Sequence, residues 1–76
     1  MLIAAKRYKL NIHDNIKNAR IKAGLTQTEL ALAIGVTQKE ISRWETGSRT
    51  PQVETFASIC KALNVSADVL LETGIK

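Results

Sequence analysis

Residues 24–47 read GLTQTELALAIGVTQKEISRWETG and contain the pattern that decides the fold. Within them, Glu29 follows three residues after Thr26, and Glu40 follows three residues after Thr37. Each pair has the form of a capping box, in which a hydroxyl and a carboxylate satisfy exposed backbone N–H groups at the start of a helix. The two boxes are eleven residues apart with a glycine between them. They predict two short helices joined by a tight turn.

Apolar residues give each of these helices one side to bury. The two faces consist of Leu30, Ala31 and Ile34 in the first helix and Ile41 and Trp44 in the second. Gly35 ends the first helix after about two turns. Small Ala31 lies where the helices must approach closely, apolar Val36 fills the turn, and Ile41 faces back toward Ala31. This is helix-turn-helix geometry, in which the second helix projects from the surface and can enter a DNA major groove.

The sequence on either side predicts three further helices. Helix one begins at an Asn11 N-cap and ends at Gly24. Helix four runs from about Val53 to Leu63, and Ser66 caps a short helix five. The residues expected to face inward in helix four are Val53, Phe56, Ile59, Cys60 and Leu63. Residues 11–76 are therefore expected to form an all-α bundle of five short helices, preceded by a separate arm or tail at residues 1–10.

Helices this short are unstable alone in water, so their stability must come from one shared core. The expected core is aliphatic because the chain has only three aromatic residues. It consists of Leu25, Leu30, Ile34, Val36, Ile41, Trp44, Phe56 and Leu63. Trp44 is assigned to the core rather than to base stacking because it shares the Ile41 face.

Composition excludes several classes of function. The chain has 76 residues, enough for one small domain. A single cysteine, Cys60, and a single histidine, His13, exclude an internal disulfide and make a metal centre, a cofactor-dependent site or a histidine-based catalytic relay unexpected. We therefore expect that the protein is not an enzyme. No apolar run approaches the roughly 20 residues of a membrane span, and the N-terminal basic residues follow the apolar ones, the reverse of a secretory signal. These features predict a soluble, cytoplasmic protein.

Charge is unevenly distributed along the chain. The net charge is +4. Residues 1–49 contain nine Lys/Arg and four Asp/Glu, and residues 50–76 contain two and three. A basic first part and a nearly neutral end indicate a face that meets a polyanion, the alternative being an ordinary solvated basic surface.

Residues 12–71 resemble the Cro/cI-type family of DNA-binding domains, also described as lambda-repressor-like or xenobiotic-response-element domains. The resemblance rests on the order and spacing of Arg20, Gly24-Leu25-Thr26-Gln27, Glu29-Leu30-Ala31, Gly35-Val36-Thr37, Ile41-Ser42-Arg43-Trp44-Glu45, Gly47, Pro51, Lys61-Ala62-Leu63-Asn64-Val65-Ser66 and Leu70. Gln52 departs from the pattern, because the family places Ser or Asn there as the N-cap of helix four and Gln is a poor cap.

The resemblance implies a role for each polar residue of the helix-turn-helix. The residues expected to contact bases are Gln38, Lys39, Ser42 and Arg43. The residues expected to contact phosphate are Gln27, Thr37, Ser48, Arg49 and Arg20. Gln38 suits adenine, and Lys39 and Arg43 suit guanine. Glu40 can accept from a cytosine amine, but its expected capping role argues against that. The alternative for each residue is an ordinary solvated polar surface.

The resemblance also implies an ion pair between Arg20 and Glu45 that fixes the recognition helix against helix one. The function it implies is a sequence-specific transcriptional regulator of bacterial or phage repressor type, binding a two-fold site in double-stranded DNA as a homodimer. The expected dimer surface is Val69, Leu70, Leu71 and Ile75. The alternative is an antitoxin or adaptor that uses the fold for protein interaction. Residues 1–10 are open to three interpretations: a basic arm on DNA, a strand pairing two subunits, or a tail.

Overall fold

A computed structural model of the chain describes residues 11–71. It contains five helices: α1 (Ile12–Lys22), α2 (Gln27–Ile34), α3 (Gln38–Thr46), α4 (Val53–Leu63) and α5 (Ala67–Leu70). No strand occurs in this described part of the chain, so the all-α prediction is confirmed. The predicted arm at residues 1–10 and Ile75 of the predicted dimer surface lie outside the described residues.

The end of α1 is set by a glycine in the left-handed conformation. Gly24 has φ +78°, which glycine adopts without the steric cost that other residues incur. Its N–H donates to the Ile21 carbonyl at 2.9 Å, and the N–H of Leu25 donates to the Arg20 carbonyl at 3.2 Å. These two bonds form a Schellman motif and satisfy carbonyls that the helix leaves open. At the other end of α1, Asn11 is the N-cap residue, but its side chain makes no capping bond.

The two predicted capping boxes differ. At α2 the box is complete, because Glu29 N–H donates to Thr26 Oγ1 at 3.0 Å and Thr26 N–H donates to Glu29 Oε1 at 2.9 Å. At α3 only one half forms, with Glu40 N–H donating to Thr37 Oγ1 at 3.2 Å. The predicted second box is therefore wrong in its carboxylate half.

Five helices close around a core formed by all of them. The buried apolar residues are Ile16, Ala19, Leu30, Ala31, Ile41, Trp44, Ile59, Leu63 and Leu70. Four other residues of the predicted core are partly buried against these: Leu25, Ile34, Val36 and Phe56. α3 packs between α1 and α2, while α5 packs on α1 and α4. This arrangement leaves one side of α3 exposed.

Two predicted positions are wrong. Val53 was expected to face inward, but it is 84 % exposed. At 100° per residue it lies about 90° from the centre of the buried stripe of α4, at the end of the helix where no neighbour covers it. Leu70 was expected on a dimer surface, but it is fully buried. It closes the core against α1, where the side chain of Asn15 donates to its carbonyl at 2.9 Å.

Gln52 is the N-cap residue of α4 and makes no side-chain capping bond, as its poor capping chemistry predicts. None of the helices in residues 11–71 has the length and apolar character needed to cross a membrane.

Candidate nucleic-acid interface

The outward side of α3 carries the residues that were predicted to contact bases. α3 buries Ile41, Trp44 and Glu45, which share one side of the helix. Gln38, Lys39 and Arg43 are exposed, and Ser42 is partly buried at the edge of this side. With 3.6 residues per turn, a helix that buries every third or fourth residue presents the intervening ones to solvent. The four residues thus lie together on the projecting surface of α3.

A buried ion pair fixes α3 against α1. Arg20 Nε donates to Glu45 Oε2 at 2.6 Å, and Arg20 Nη2 donates to Glu45 Oε1 at 3.1 Å. Arg20 Nη1 donates to the Leu25 carbonyl at 2.8 Å, at the start of the turn into α2. The side chains are 10 % and 1 % exposed. The predicted ion pair is present, and the bidentate geometry fixes orientation as well as distance.

Burial limits what else Arg20 can do. Each of its three guanidinium nitrogens already donates to a partner within the protein. Only the second N–H of each terminal nitrogen remains for a phosphate. Contact between Arg20 and phosphate stays a prediction.

The ion pair continues to the protein surface through two glutamines. Gln27 Nε2 donates to Glu45 Oε1 at 2.9 Å, and Gln38 Nε2 donates to Gln27 Oε1 at 2.5 Å. Gln27, which was predicted to contact phosphate, and Gln38, which was predicted to contact a base, are therefore linked to the same buried carboxylate. Neither bond was predicted from the sequence. The available signal was that Gln27 and Gln38 are each the first residue of a helix, directly after a threonine cap.

The loop after α3 brings further polar groups to the same end of the molecule. Gly47 ends the helix with φ +86°, and Ser48 and Arg49 follow it in exposed positions. The Arg49 N–H donates to the Arg43 carbonyl at 3.2 Å, so the loop folds back on the helix. A cleft of about 280 Å³ lies between them, and Arg43, Arg49, Glu40, Gln52 and Thr55 are among its lining residues.

The cations of this surface form no ion pair with any acidic residue of the described range, residues 11–71. Among residues 11–71 the ion pairs are Arg20–Glu45 and a 3.9 Å contact between His13 and Asp14. Lys39, Arg43 and Arg49 form none. Unpaired cations on an exposed face attract polyanions, because no acidic partner must first be displaced.

Cys60 takes no part in this surface. It lies on α4, partly buried against the core. Burial raises the pKa of its thiol, since a low-dielectric environment disfavours the thiolate, and a backbone hydrogen bond offsets this in part.

Comparison with known proteins gives the same architecture. The profile of the helix-turn-helix family matches residues 16–70. The HTH-type transcriptional regulator YqaE of Bacillus subtilis, itself uncharacterized, is 37 % identical over 59 residues, which are 78 % of this chain and 51 % of YqaE. The antitoxin PezA of Streptococcus pneumoniae is 38 % identical over 55 residues, 72 % of this chain and 35 % of PezA. The chain thus spans about half or less of these relatives.

A solved structure adds a nucleic acid to the comparison. The P22 c2 repressor, crystallised with a synthetic operator, superposes with a TM-score of 0.76 and 32 % identity, covering 86 % of this chain and 97 % of that one. On the profile match and the shared fold, the chain belongs to the helix-turn-helix family.

Proposed function

We propose that this chain acts as a transcriptional regulator of bacterial or phage repressor type that recognises a specific sequence in double-stranded DNA. It acts by binding rather than by catalysis, with α3 in the major groove. The observation that carries the proposal is the outward side of α3, where exposed Lys39 and Arg43 have no acidic partner within residues 11–71 while Glu45 fixes the opposite side. The relatives described as HTH-type regulators and the P22 c2 repressor–operator complex support it. The site of action is the cytoplasm, where bacterial DNA lies.

Contacts in the proposed complex fall into two groups. Gln38, Lys39, Ser42 and Arg43 read base edges, and Gln27, Thr37, Ser48, Arg49 and the remaining N–H groups of Arg20 hold phosphates. Phosphate contacts set the register of the protein on the duplex, and base contacts supply specificity. The bond from Gln27 to Gln38 couples the two groups.

The regulator binds as a homodimer in this proposal. One recognition helix reads only about four to six base pairs, so a two-fold site with helices about 34 Å apart supplies the missing specificity. Val69 and Leu71 on and beside α5 are 50 % and 37 % exposed. They are the part of the predicted dimer surface that remains available in residues 11–71.

A gel-shift measurement with Arg43→Ala and Lys39→Ala tests the proposed reading face. Each change should lower the affinity for the specific site by about 1–3 kcal/mol while leaving the melting temperature nearly unchanged. Lys61→Ala is the matched control, since it removes one charge from an exposed residue near the far end of α4, about 12 Å from its N-terminus. Unchanged affinity in both α3 variants would contradict the proposal.

The similarity to PezA favours one second candidate, an antitoxin or adaptor that uses the fold mainly to bind a protein partner. The two functions separate in a competition experiment. A DNA-binding regulator retains its specific site in the presence of excess unrelated duplex, whereas a pure protein-interaction module binds no duplex specifically.

A further inference from the structure

At the exposed start of α3, the carboxylate of Glu40 has no partner among the residues that the structure describes. Its backbone N–H donates to Thr37 Oγ1, but its side chain does not return the bond to the Thr37 N–H. Glu29, at the same place in α2, makes that bond. Within residues 11–71 the Glu40 carboxylate forms no ion pair, and the side chain is exposed. The capping role that argued against a DNA contact is therefore not performed.

The location of Glu40 places this free carboxylate among the proposed DNA contacts. Glu40 precedes Arg43 by three residues, which is one turn of the helix, so their side chains are neighbours on α3. Both line the cleft that also contains Arg49. A carboxylate beside two cations and paired with neither is positioned to act on a third group.

The chemistry of a carboxylate limits the groups on DNA that Glu40 can bind. A carboxylate only accepts hydrogen bonds, and every phosphate on the duplex repels it. In the major groove the donors are the exocyclic amines of cytosine and adenine, and Glu is suited to accept from cytosine N4. A neighbouring Arg is suited to guanine O6 and N7.

We propose that Glu40 is a specificity-determining residue that accepts from the N4 amine of a cytosine next to the base contacted by Arg43. This inference rests on the proposed function. Glu40 then favours sites that present an amine and also disfavours sites that do not. On sites that present no amine, the carboxylate meets only acceptors and phosphates, and binding is weakened there.

Selection from a random duplex pool with wild type, Glu40→Gln and Glu40→Ala tests the assignment. Wild type should require cytosine at one position. Glu40→Gln should change that preference to adenine, because an amide pairs with adenine N6 and N7, and Glu40→Ala should lose the preference. The expected change in discrimination at that position is about 5- to 150-fold, the range for one good base contact. Both variants should bind scrambled duplex more tightly than wild type.

Asp68→Asn is the matched control, because it removes one exposed carboxylate from α5. It should alter neither the selected sequence nor the binding of scrambled duplex. Thermal melts of all variants establish that they fold. Wild type with no selected sequence at all would contradict the proposed function itself. A selected wild-type sequence that both Glu40 variants reproduce at every position would overturn the role of Glu40 alone.

Discussion

At the scale of single residues, the Arg20–Glu45 pair places two opposite charges in the interior of the protein. Both side chains are almost fully removed from water. Desolvation of two charges offsets much of their attraction, so such a pair contributes little net stability but becomes strongly unfavourable when one member is lost. Here Gln27 donates a further bond to the carboxylate, and the Leu25 carbonyl accepts one from the guanidinium. The pair therefore sets the orientation of α3 more than it sets the free energy of unfolding.

A double-mutant cycle should reveal this coupling. Arg20→Ala and Glu45→Ala should each lower the free energy of unfolding by about 3–5 kcal/mol, because each leaves a buried charge unpaired. The double variant removes both charges, so its loss should be smaller than the sum. Urea denaturation of the four proteins measures the difference. Strict additivity would mean that the two charges do not interact.

The thiol of Cys60 provides a second test at this scale. Since burial raises its pKa, the thiolate fraction near neutral pH falls below that of an exposed cysteine. The thiol should react with an aromatic disulfide reagent more slowly than free cysteine at pH 7–8, and the rate should rise with pH. Addition of denaturant should restore the rate of an exposed thiol. A native rate equal to the denatured one would show that Cys60 is not protected by the fold.

At the scale of elements, the two threonine caps allow a direct comparison within one protein. Each threonine hydroxyl accepts one bond, but only the Glu29 carboxylate returns a bond to the backbone N–H of its threonine. Glu29→Ala should therefore destabilise the domain more than Glu40→Ala, with a loss within the range of about 0.5–2 kcal/mol for a lost cap. Urea denaturation without DNA measures both. An equal loss, or a larger one for Glu40→Ala, would contradict the difference between the caps.

The residues at which the helices begin and end could be predicted because the interactions that start and stop a helix are local. Threonine and serine caps and the glycine after α1 act within one turn of the chain, so they can be identified from sequence order. The errors concern what local order does not contain. Val53 is exposed because no neighbour covers the end of α4, and Leu70 is buried because α1 lies across it.

Some features of the candidate site could likewise be predicted from local sequence, and others could not. The outward residues of α3 follow from helical spacing, and the Arg20–Glu45 pair followed from a family resemblance. The bond between Gln27 and Gln38 could not be predicted, because it depends on the angle at which α2 meets α3. Neither could the free carboxylate of Glu40, since the spacing of its box is the same as that of the complete one.

At the scale of the whole molecule, two adjacent leucines at the end of α5 lie in different environments. Leu70 points into the core and Leu71, beside it, is part-exposed. Leu71→Glu should reduce cooperative binding to a two-fold site while leaving the domain folded. Leu70→Ala should instead lower the free energy of unfolding by about 2–5 kcal/mol, as for other large-to-small core changes. Titration of a two-fold site and of a half-site measures cooperativity. Wild-type cooperativity in Leu71→Glu would exclude this surface from the dimer.

The hydrogen-bond chain from Arg20 through Glu45 and Gln27 to Gln38 bears on how this scaffold can be re-targeted. Lys39 and Arg43 lie outside the chain, so a designer or natural selection can exchange them one at a time. Gln38 is different, because changing it also releases the amide of Gln27. In a mutant library that varies residue 38 alone, we expect few variants to retain DNA binding. A library that varies residues 27 and 38 together includes pairs whose side chains can again form a hydrogen bond. If α3 contacts bases as proposed, the set of DNA sites that this scaffold can recognise depends on the combination of residues at 27 and 38, and not on residue 38 alone.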